Sequence, residues 1–192
     1  MDNTVDNIYN QMLRDFRDTL KQISEDVNKV ADDKYMTLCE AYAVNFDKFK
    51  NHTFKKMNLG VFPKSCDALY RNQYGAYFLV EFKNGIIEVK KNYEIKIKIF
   101  ESLLMLTERF SQTADFMRNN LTFILVYNDD VEHGKKEFEN TGLTKLGSSL
   151  SKLSHGHMVR FGLQYFEKLY FKDVYTYSKS EFEAQFVSKF CI

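Results

Sequence analysis

The chain has little of several residue types that mark particular classes of protein. One proline among 192 residues excludes Pro-rich linkers and argues against disorder. The three cysteines are too few and too scattered for a disulfide framework, and no two have CxxC spacing: Cys39, Cys66 and Cys191. We therefore expect reduced, mostly buried thiols in a cytoplasmic protein.

The chain also lacks a large excess of charges of one sign, and it lacks long apolar runs. The net charge of +1 gives no global argument for nucleic-acid binding. No stretch approaches the roughly 20 apolar residues of a membrane span, and the first residues lack the basic and apolar parts of a signal peptide. With 44% hydrophobic and 16% aromatic residues, the chain can bury one good core. This predicts a soluble single domain over 1–192 with no membrane partner.

Within this domain, residues 1–50 have the periodicity of a long N-terminal helix pair. Apolar residues recur at steps of three and four along the first helix: Val5, Ile8, Met12, Phe16, Leu20, Ile23, Val27 and Val30. Asp32 and Asp33 can cap a second helix that runs to about Phe49. The apolar stripe of the first helix either packs on its own domain or forms the seam of a homodimer.

Residues 51–130 have the pattern of a hairpin, a helix and a strand. Two apolar segments, 65–71 and 76–83, read as strands joined by a short turn. Helical periodicity covers 92–110, where Glu94 and Lys98 are expected to form a surface ion pair. Leu121–Tyr127 is a continuous apolar strand. A C-terminal α/β extension over 131–192 contains a helix at 158–168, a strand at 170–177 and a last helix capped by Ser178 or Ser180. The fold class is therefore α/β or α+β, with helices flanking a mixed sheet.

Charged residues occur at the end of the second predicted strand, where an apolar run is normally buried. Glu81 and Lys83 share one face of that strand because side chains alternate, and Asp67 lies on the preceding segment. Two buried carboxylates are the number and type of ligand that Mg²⁺ prefers, and Mn²⁺ could replace it. A metal bound by Asp67 and Glu81, with the backbone carbonyl of Phe82 as a further ligand, would account for these charges.

Asp67 followed by Glu81-Phe82-Lys83 and then a helix resembles the PD-(D/E)XK nuclease superfamily, which has the restriction-endonuclease-like fold. The resemblance covers about 65–106 and implies a central mixed sheet flanked by helices. It also implies that Asp67 and Glu81 bind Mg²⁺ or Mn²⁺ and that Lys83 is catalytic. The segments around Asp67 and Glu81 resemble a group of small uncharacterised bacterial proteins too.

The sequence departs from the superfamily pattern in two respects. Cys66 precedes Asp67, and the proline, Pro63, lies four positions upstream of it. Many members of the superfamily also take an acidic residue from a helix before the hairpin. Glu40 is the better candidate for that role here, because it lies at the edge of the apolar face of the second predicted helix.

Basic residues are concentrated around these carboxylates. The window 45–98 contains eleven lysines and arginines against five acidic residues, a local charge of +6. Such a surplus suits a site that attracts a phosphate backbone, and Lys64, Lys96 and Lys98 are possible phosphate contacts. A solvated lysine-rich surface gives the same count.

Three functions fit these observations. The first is a metal-dependent nuclease acting on DNA or RNA, with Lys83 assisting the attacking water. The second is a catalytically inactive protein of the same fold that binds a partner. The third has no nuclease ancestry, and Glu81 and Lys83 form an exposed polar pair.

Two other groups of residues have simpler explanations. We expect His155 and His157 to belong to a polar loop rather than to bind a metal. We expect the aromatic residues near the C-terminus to pack in the core rather than to stack on bases.

Overall fold

The structure, a computed structural model, describes residues 3–29, 34–58, 60–128 and 158–191. Six strands in these ranges form one sheet: β1 (Arg17–Thr19), β2 (Tyr42–Asn45), β3 (Ala68–Arg71), β4 (Tyr77–Lys83), β5 (Leu121–Tyr127) and β6 (Asp173–Ser178). Their order across the sheet is their order along the chain. Neighbours from β1 to β4 are antiparallel, whereas β4, β5 and β6 are parallel to one another. The predicted mixed sheet is confirmed.

Helices pack against the sheet. They are α1 (Asn3–Asp15), α2 (Leu20–Ile23), α3 (Phe46–Lys56), α4 (Val89–Phe110) and α5 (Ala114–Asn120). A C-terminal helix, α6, consists of Lys179–Glu181, the π-helical Phe182–Val187 and Ser188–Phe190. None of the described helices combines the length and the apolar character that crossing a bilayer requires.

The apolar side chains divide between the two faces of the sheet. Leu79 and Phe123 face a cluster that also contains the inward side chains of α1 and α4, and we call this side the α4 face. Val80 and Ile124 face a second cluster with Phe182 of α6, and we call this side the α6 face. Both β4 and β5 are therefore buried on two sides, which explains their nearly continuous apolar sequence.

The predicted long N-terminal helix pair is wrong. The first helix ends at Asp15, and the chain then forms β1 and the short α2. Thr19 ends the strand by capping α2, because its side chain accepts from Gln22 N while the Gln22 side chain binds Thr19 N. The region of the second predicted helix contains instead β2, which pairs with both β1 and β3, and a helix starts only at Phe46. Strand pairing overrides the helical spacing of the apolar residues here.

The secondary-structure predictions that follow the N-terminal region are closer to the structure up to β5. The helix expected at 92–110 begins three residues earlier, and β5 has the expected bounds. The helix expected at 158–168 is reduced to a 3₁₀ turn at Gln164–Phe166, whereas Ser178 caps α6 as predicted. His155 and His157 lie outside the described residues.

Candidate active site

Asp67 lies directly before β3, and Glu81 lies on the neighbouring strand β4. β3 and β4 are antiparallel with Ala68 opposite Val80. Asp67 N donates to Val80 O at 3.0 Å, a bond that is offset by one residue from this register and ties Asp67 to β4. Asp67 Oδ2 also accepts from Phe82 N at 2.7 Å, which fixes the carboxylate against β4. Both carboxylates therefore have positions set by the backbone, and both are on the α4 face.

A lysine of α4 joins the two carboxylates. Lys98 Nζ lies 3.1 Å from Asp67 Oδ1 and 2.7 Å from Glu81 Oε1. Lys83 Nζ lies 2.6 Å from the same Glu81 oxygen. The structure thus brings together the predicted residues Asp67, Glu81 and Lys83, and it adds Lys98, which was predicted as a phosphate contact.

The expected surface pair between Glu94 and Lys98 is wrong. Glu94 lies near Lys91 and Lys64 instead, at 3.5 and 3.9 Å. The side chain of Lys98 is only 19% exposed, because it reaches inward to the carboxylates. Two inward carboxylates attract this ammonium more strongly than one carboxylate at the surface.

The segment that carries Asp67 is held against α4 at two further points. Ser102, one turn after Lys98, accepts a hydrogen bond from Cys66 N at 2.8 Å. Glu101 accepts from Lys64 N. These contacts fix the distance between the start of β3 and the helix, so Lys98 can bridge to β4.

Glu81 has unusual electrostatics for a carboxylic acid. Its side chain is fully buried. Burial and the charge of Asp67 raise its pKa to about 7, although Lys98 and Lys83 oppose this shift. Burial would lower the pKa of Lys98, but Asp67 and Glu81 outweigh it and raise that pKa. The exposure of the Glu81–Lys83 pair that the third predicted function assumes is therefore wrong, whereas its lack of nuclease ancestry stays a prediction.

The donor set at this site fits a hard divalent cation. Glu81 Oε2 is buried and has no hydrogen-bond partner among the described residues. The Lys98 ammonium already marks a point at which one cation contacts both carboxylates. No cluster of three or more His, Cys, Asp or Glu suited to a metal occurs in the described ranges. Two carboxylates remain sufficient for Mg²⁺, which usually keeps several waters.

The backbone carbonyl of Phe82 stays a prediction as a metal ligand. Its amide N–H is directed toward Asp67. The N–H and C=O groups of one strand residue point to the same side. The carbonyl is therefore directed toward the β3 side of the strand, as a ligand shared with Asp67 would require.

Glu40 does not lie on a helix. It falls in the segment before β2, where its exposed side chain forms an ion pair with Lys21 at 3.0 Å. The prediction failed because the second N-terminal helix was placed too early.

Asp47 is a helical acidic residue before β3 that the sequence analysis did not select. It lies in the first turn of α3, and its Oδ1 accepts hydrogen bonds from Ser65 Oγ and Lys50 Nζ at 2.5 and 2.6 Å. Burial would raise the pKa of Asp47, but Lys50 and Ser65 outweigh it and lower that pKa, with a smaller contribution from Lys98. The N-cap signal of Asn45 could have located this helix start.

The other predicted phosphate contacts lie apart from the carboxylates. Lys96 Nζ lies 5.5 Å from the ring centre of Tyr165, on another side of α4. The half-exposed side chain of Lys64 approaches Glu94 at 3.9 Å. Among the described residues no ion pair joins either lysine to Asp67 or Glu81, so their role as phosphate contacts stays a prediction.

Comparison of the chain with protein-family models, with curated protein sequences and with solved structures finds no match. The resemblance to PD-(D/E)XK nucleases accordingly rests on Asp67, Glu81 and Lys83 alone. The clearest functional feature of the described residues is the cluster of charged side chains around the buried Glu81.

Proposed function

We propose that the protein is a Mg²⁺- or Mn²⁺-dependent phosphodiesterase that hydrolyses DNA or RNA. The observation that supports this most is the convergence of Asp67 and Glu81 on one point, with the buried and unpartnered Glu81 Oε2 beside it. Buried carboxylates are expensive unless a cation compensates them. A site that keeps two of them together is well suited to bind a metal ion.

In this proposal Asp67 and Glu81 hold the ion, and the Phe82 amide keeps the Asp67 carboxylate oriented. The ion, when bound, would polarise a phosphoryl oxygen and acidify a water molecule. The chain itself supplies the geometry. Glu81 is fixed on a strand buried on both faces, so its carboxylate needs little rearrangement on binding.

Lys83 and Lys98 have different roles in the proposed reaction. Lys83 is at the end of β4, and its side chain is 23% exposed, so it can contact both Glu81 and an incoming phosphate. It would stabilise the negative charge that develops on the phosphorus oxygens. Lys98 compensates the carboxylates before an ion binds, and it must release at least one of them when the ion enters.

The surrounding lysines support a nucleic-acid substrate. Several of those in the 45–98 window are used internally, as in the pairs Lys48–Asp18 and Lys50–Asp47. Lys90 and Lys91, at the start of α4, are exposed. Of these two, Lys91 lies 3.5 Å from Glu94, and a surplus of positive charge in this part of the chain would attract a phosphate backbone.

A second candidate function is that of a catalytically inactive protein that binds a partner through the same fold. The Lys98 ammonium favours it, because it already occupies the point between the carboxylates. The two candidates differ in metal binding. For a chain of this size, an ion at a hundred times its dissociation constant adds about 2.7 kcal/mol of stability and raises the melting temperature by about 5–10 °C. The inactive protein would show no such rise.

Cleavage assays test the proposed reaction directly. Plasmid, single-stranded DNA and RNA are incubated with Mn²⁺ and with Mg²⁺, using wild type, Glu81→Gln and Lys83→Ala. Lys29→Ala is the matched control, because it removes an exposed lysine outside the carboxylate cluster and outside the 45–98 window. We expect both site variants to lose about 100-fold or more in rate and the control to retain activity.

Two results would contradict the proposal. Equal cleavage by wild type and Glu81→Gln would identify a contaminating nuclease. No cleavage of any substrate, together with an unchanged melting temperature in Mn²⁺, would favour the inactive binding protein.

A further inference from the structure

A cavity lies on the α6 face of the sheet, away from the carboxylates. Its volume is about 440 Å³, which is within the range of small-molecule sites. It is formed where β4, β5 and β6 begin, since Ala76, Thr122 and Asp173 line it, and α6 closes one side with Phe186 and Phe190. Glu81 and Lys98 meet on the opposite face and at the opposite end of β4, so this is a separate site.

The wall of the cavity is aromatic. Tyr175 and Tyr177 alternate with Thr176 on β6 and therefore share a face. Their rings are stacked, with centres 5.4 Å apart and planes 13° from parallel. Tyr175 is half-buried, whereas only 9% of Tyr177 is exposed. Burial raises the pKa of both phenols, so neither ring carries negative charge at neutral pH.

The rim of the cavity is positively charged. Lys172 and Lys189 are exposed at its edge, and no ion pair joins either of them to a carboxylate within the described ranges. The one acidic residue in the lining, Asp173, already pairs with Lys168 at 3.3 Å. Gln185 adds an exposed amide that can donate and accept hydrogen bonds.

We propose that this cavity binds a nucleotide, with the base stacked against Tyr175 and the phosphate between Lys172 and Lys189. Aromatic rings that stack on bases, combined with cations that contact phosphate, are how proteins bind single-stranded nucleic acid. The same chemistry is offered by a free nucleotide and by an unpaired nucleotide of a single strand. This site does not depend on the proposed hydrolysis, since it shares no residue with the carboxylate cluster.

Binding is measured with the full chain carrying Glu81→Gln and in the presence of EDTA, so that hydrolysis cannot interfere. Titration calorimetry with adenosine and uridine monophosphates tests the free nucleotide. Fluorescence anisotropy of a labelled ten-nucleotide single strand tests the strand. Each probe is repeated with Tyr175→Ala, Lys172→Ala and Lys189→Ala.

Two exposed residues outside the cavity provide matched controls. Tyr42→Ala removes an exposed tyrosine of β2, and Lys29→Ala removes an exposed lysine. We expect Tyr175→Ala to weaken binding by about fivefold or more, and both controls to change it by less than about twofold. Lys172→Ala and Lys189→Ala should each reduce the dependence of log K on log salt by about 0.7. Tyr175→Ala should leave that slope unchanged.

The pattern of binding separates the possible ligands. Binding of both probes, weakened by the cavity variants, supports a site for nucleotides in general. Binding of the strand alone, with the same sensitivity, supports a site for one nucleotide of a longer chain. Absence of binding by both probes, or equal binding by the cavity variants and the controls, would overturn the proposal.

Discussion

Glu81 is the residue on which most of the local electrostatics depend. It is completely buried, one of its oxygens contacts Lys83 and Lys98, and the other has no partner among the described residues. Desolvation and Asp67 favour the protonated acid, whereas the two ammonium groups favour the carboxylate. The protonation state of one side chain therefore controls the charge of the whole site near neutral pH.

The first prediction concerns the pH dependence of stability. The pKa of Glu81 is about 7 in the folded protein, against 4.5 for an ordinary glutamate. The folded state therefore binds more protons than the unfolded chain between these values, and stability falls as pH rises through them. In EDTA, we expect the free energy of unfolding of wild type to fall relative to Glu81→Gln by about 3 kcal/mol from pH 4.5 to pH 7.

Urea unfolding of both proteins across this pH range measures the difference. Titrating groups that do not interact with Glu81 cancel, because they are common to the two proteins. Under the proposed function, saturating Mg²⁺ should reverse the trend, since the ion would bind the ionised carboxylate and release its proton. A difference that does not vary with pH would show that Glu81 does not titrate in this range.

The second prediction concerns Lys98. Its replacement in Lys98→Met leaves Asp67 and Glu81 without the ammonium that bridges them, and removing one partner of a buried pair costs about 3–5 kcal/mol. Under the proposed function, Mg²⁺ should raise the melting temperature of this variant more than that of wild type, because it no longer competes with a tethered cation. Thermal unfolding with and without Mg²⁺ measures both effects.

Lys96→Met is the matched control for Lys98→Met. It lies two positions away on the same helix and contacts the Tyr165 ring instead of the carboxylates. Its effect should stay within about 0.5 kcal/mol, as for most surface substitutions. Equal behaviour of the two variants would mean that the bridge contributes nothing to the site.

At this scale the sequence was sufficient to predict that Asp67, Glu81 and Lys83 lie together, because strand alternation determines which residues share a face. Their metal-binding and catalytic roles stay predictions. The sequence was insufficient for Lys98 and Asp47. Helical phase places Lys98 at the edge of the buried stripe but does not say that its long side chain turns inward. Asp47 was hidden by an incorrect helix boundary.

Among the elements, α4 brings Lys98 to the sheet. The position of this helix depends on how its two ends are fixed. Its first turn follows Glu88, which makes no side-chain capping bond. Its last turn closes at Ser111, whose backbone is left-handed with φ of 51° and whose N–H binds the Thr107 and Glu108 carbonyls. Glycine is the usual residue at such a helix end, because a side chain is strained there.

The third prediction follows from this geometry. Ser111→Gly should raise the free energy of unfolding by about 0.5–1 kcal/mol, because it relieves the left-handed strain. The comparison is Ser188→Gly, where the backbone is right-handed with φ of −60°. That change should lower stability by about 0.5–1 kcal/mol. Chemical denaturation compares the three proteins, and stabilisation by both glycines would contradict the explanation.

Helices and strands were predictable where the spacing of apolar residues fitted only one of the two. β5 is continuously apolar over seven residues and α4 has helical spacing over 22, so both were found. The region 16–45 was misread because Phe16, Leu20 and Ile23 keep helical spacing although a strand and a cap interrupt them. Only pairing with β2, which is distant in sequence, reveals β1.

Across the whole molecule, two apolar clusters stabilise the sheet from opposite sides. On the α4 face, Val5 and Met12 of α1 are buried against the core. The stripe predicted as a possible dimer seam is therefore used within the chain, and a homodimer through it would have to break these contacts. On the α6 face, Phe182 packs edge-on against Phe82 with ring centres 5.9 Å apart.

The fourth prediction tests whether α6 is part of one cooperative fold. Phe182→Ala removes a fully buried ring, which should lower the free energy of unfolding by about 3–5 kcal/mol in a single transition. Phe62→Ala, at a position that is 46% exposed, should change it by less than about 0.5 kcal/mol. Urea unfolding followed by tyrosine fluorescence and by circular dichroism compares them. Two separate transitions in wild type would show that α6 unfolds independently.

The Lys98 bridge has a consequence for the order in which the protein matures. The Lys98 ammonium is part of the chain, so a cation is always available to the two carboxylates when the protein folds. Under the proposed function, we therefore expect the chain to fold before a divalent ion binds and a chelator to leave the fold intact, in contrast to small domains that fold only around their metal. Binding of the ion would then exchange one cation for another in a folded protein.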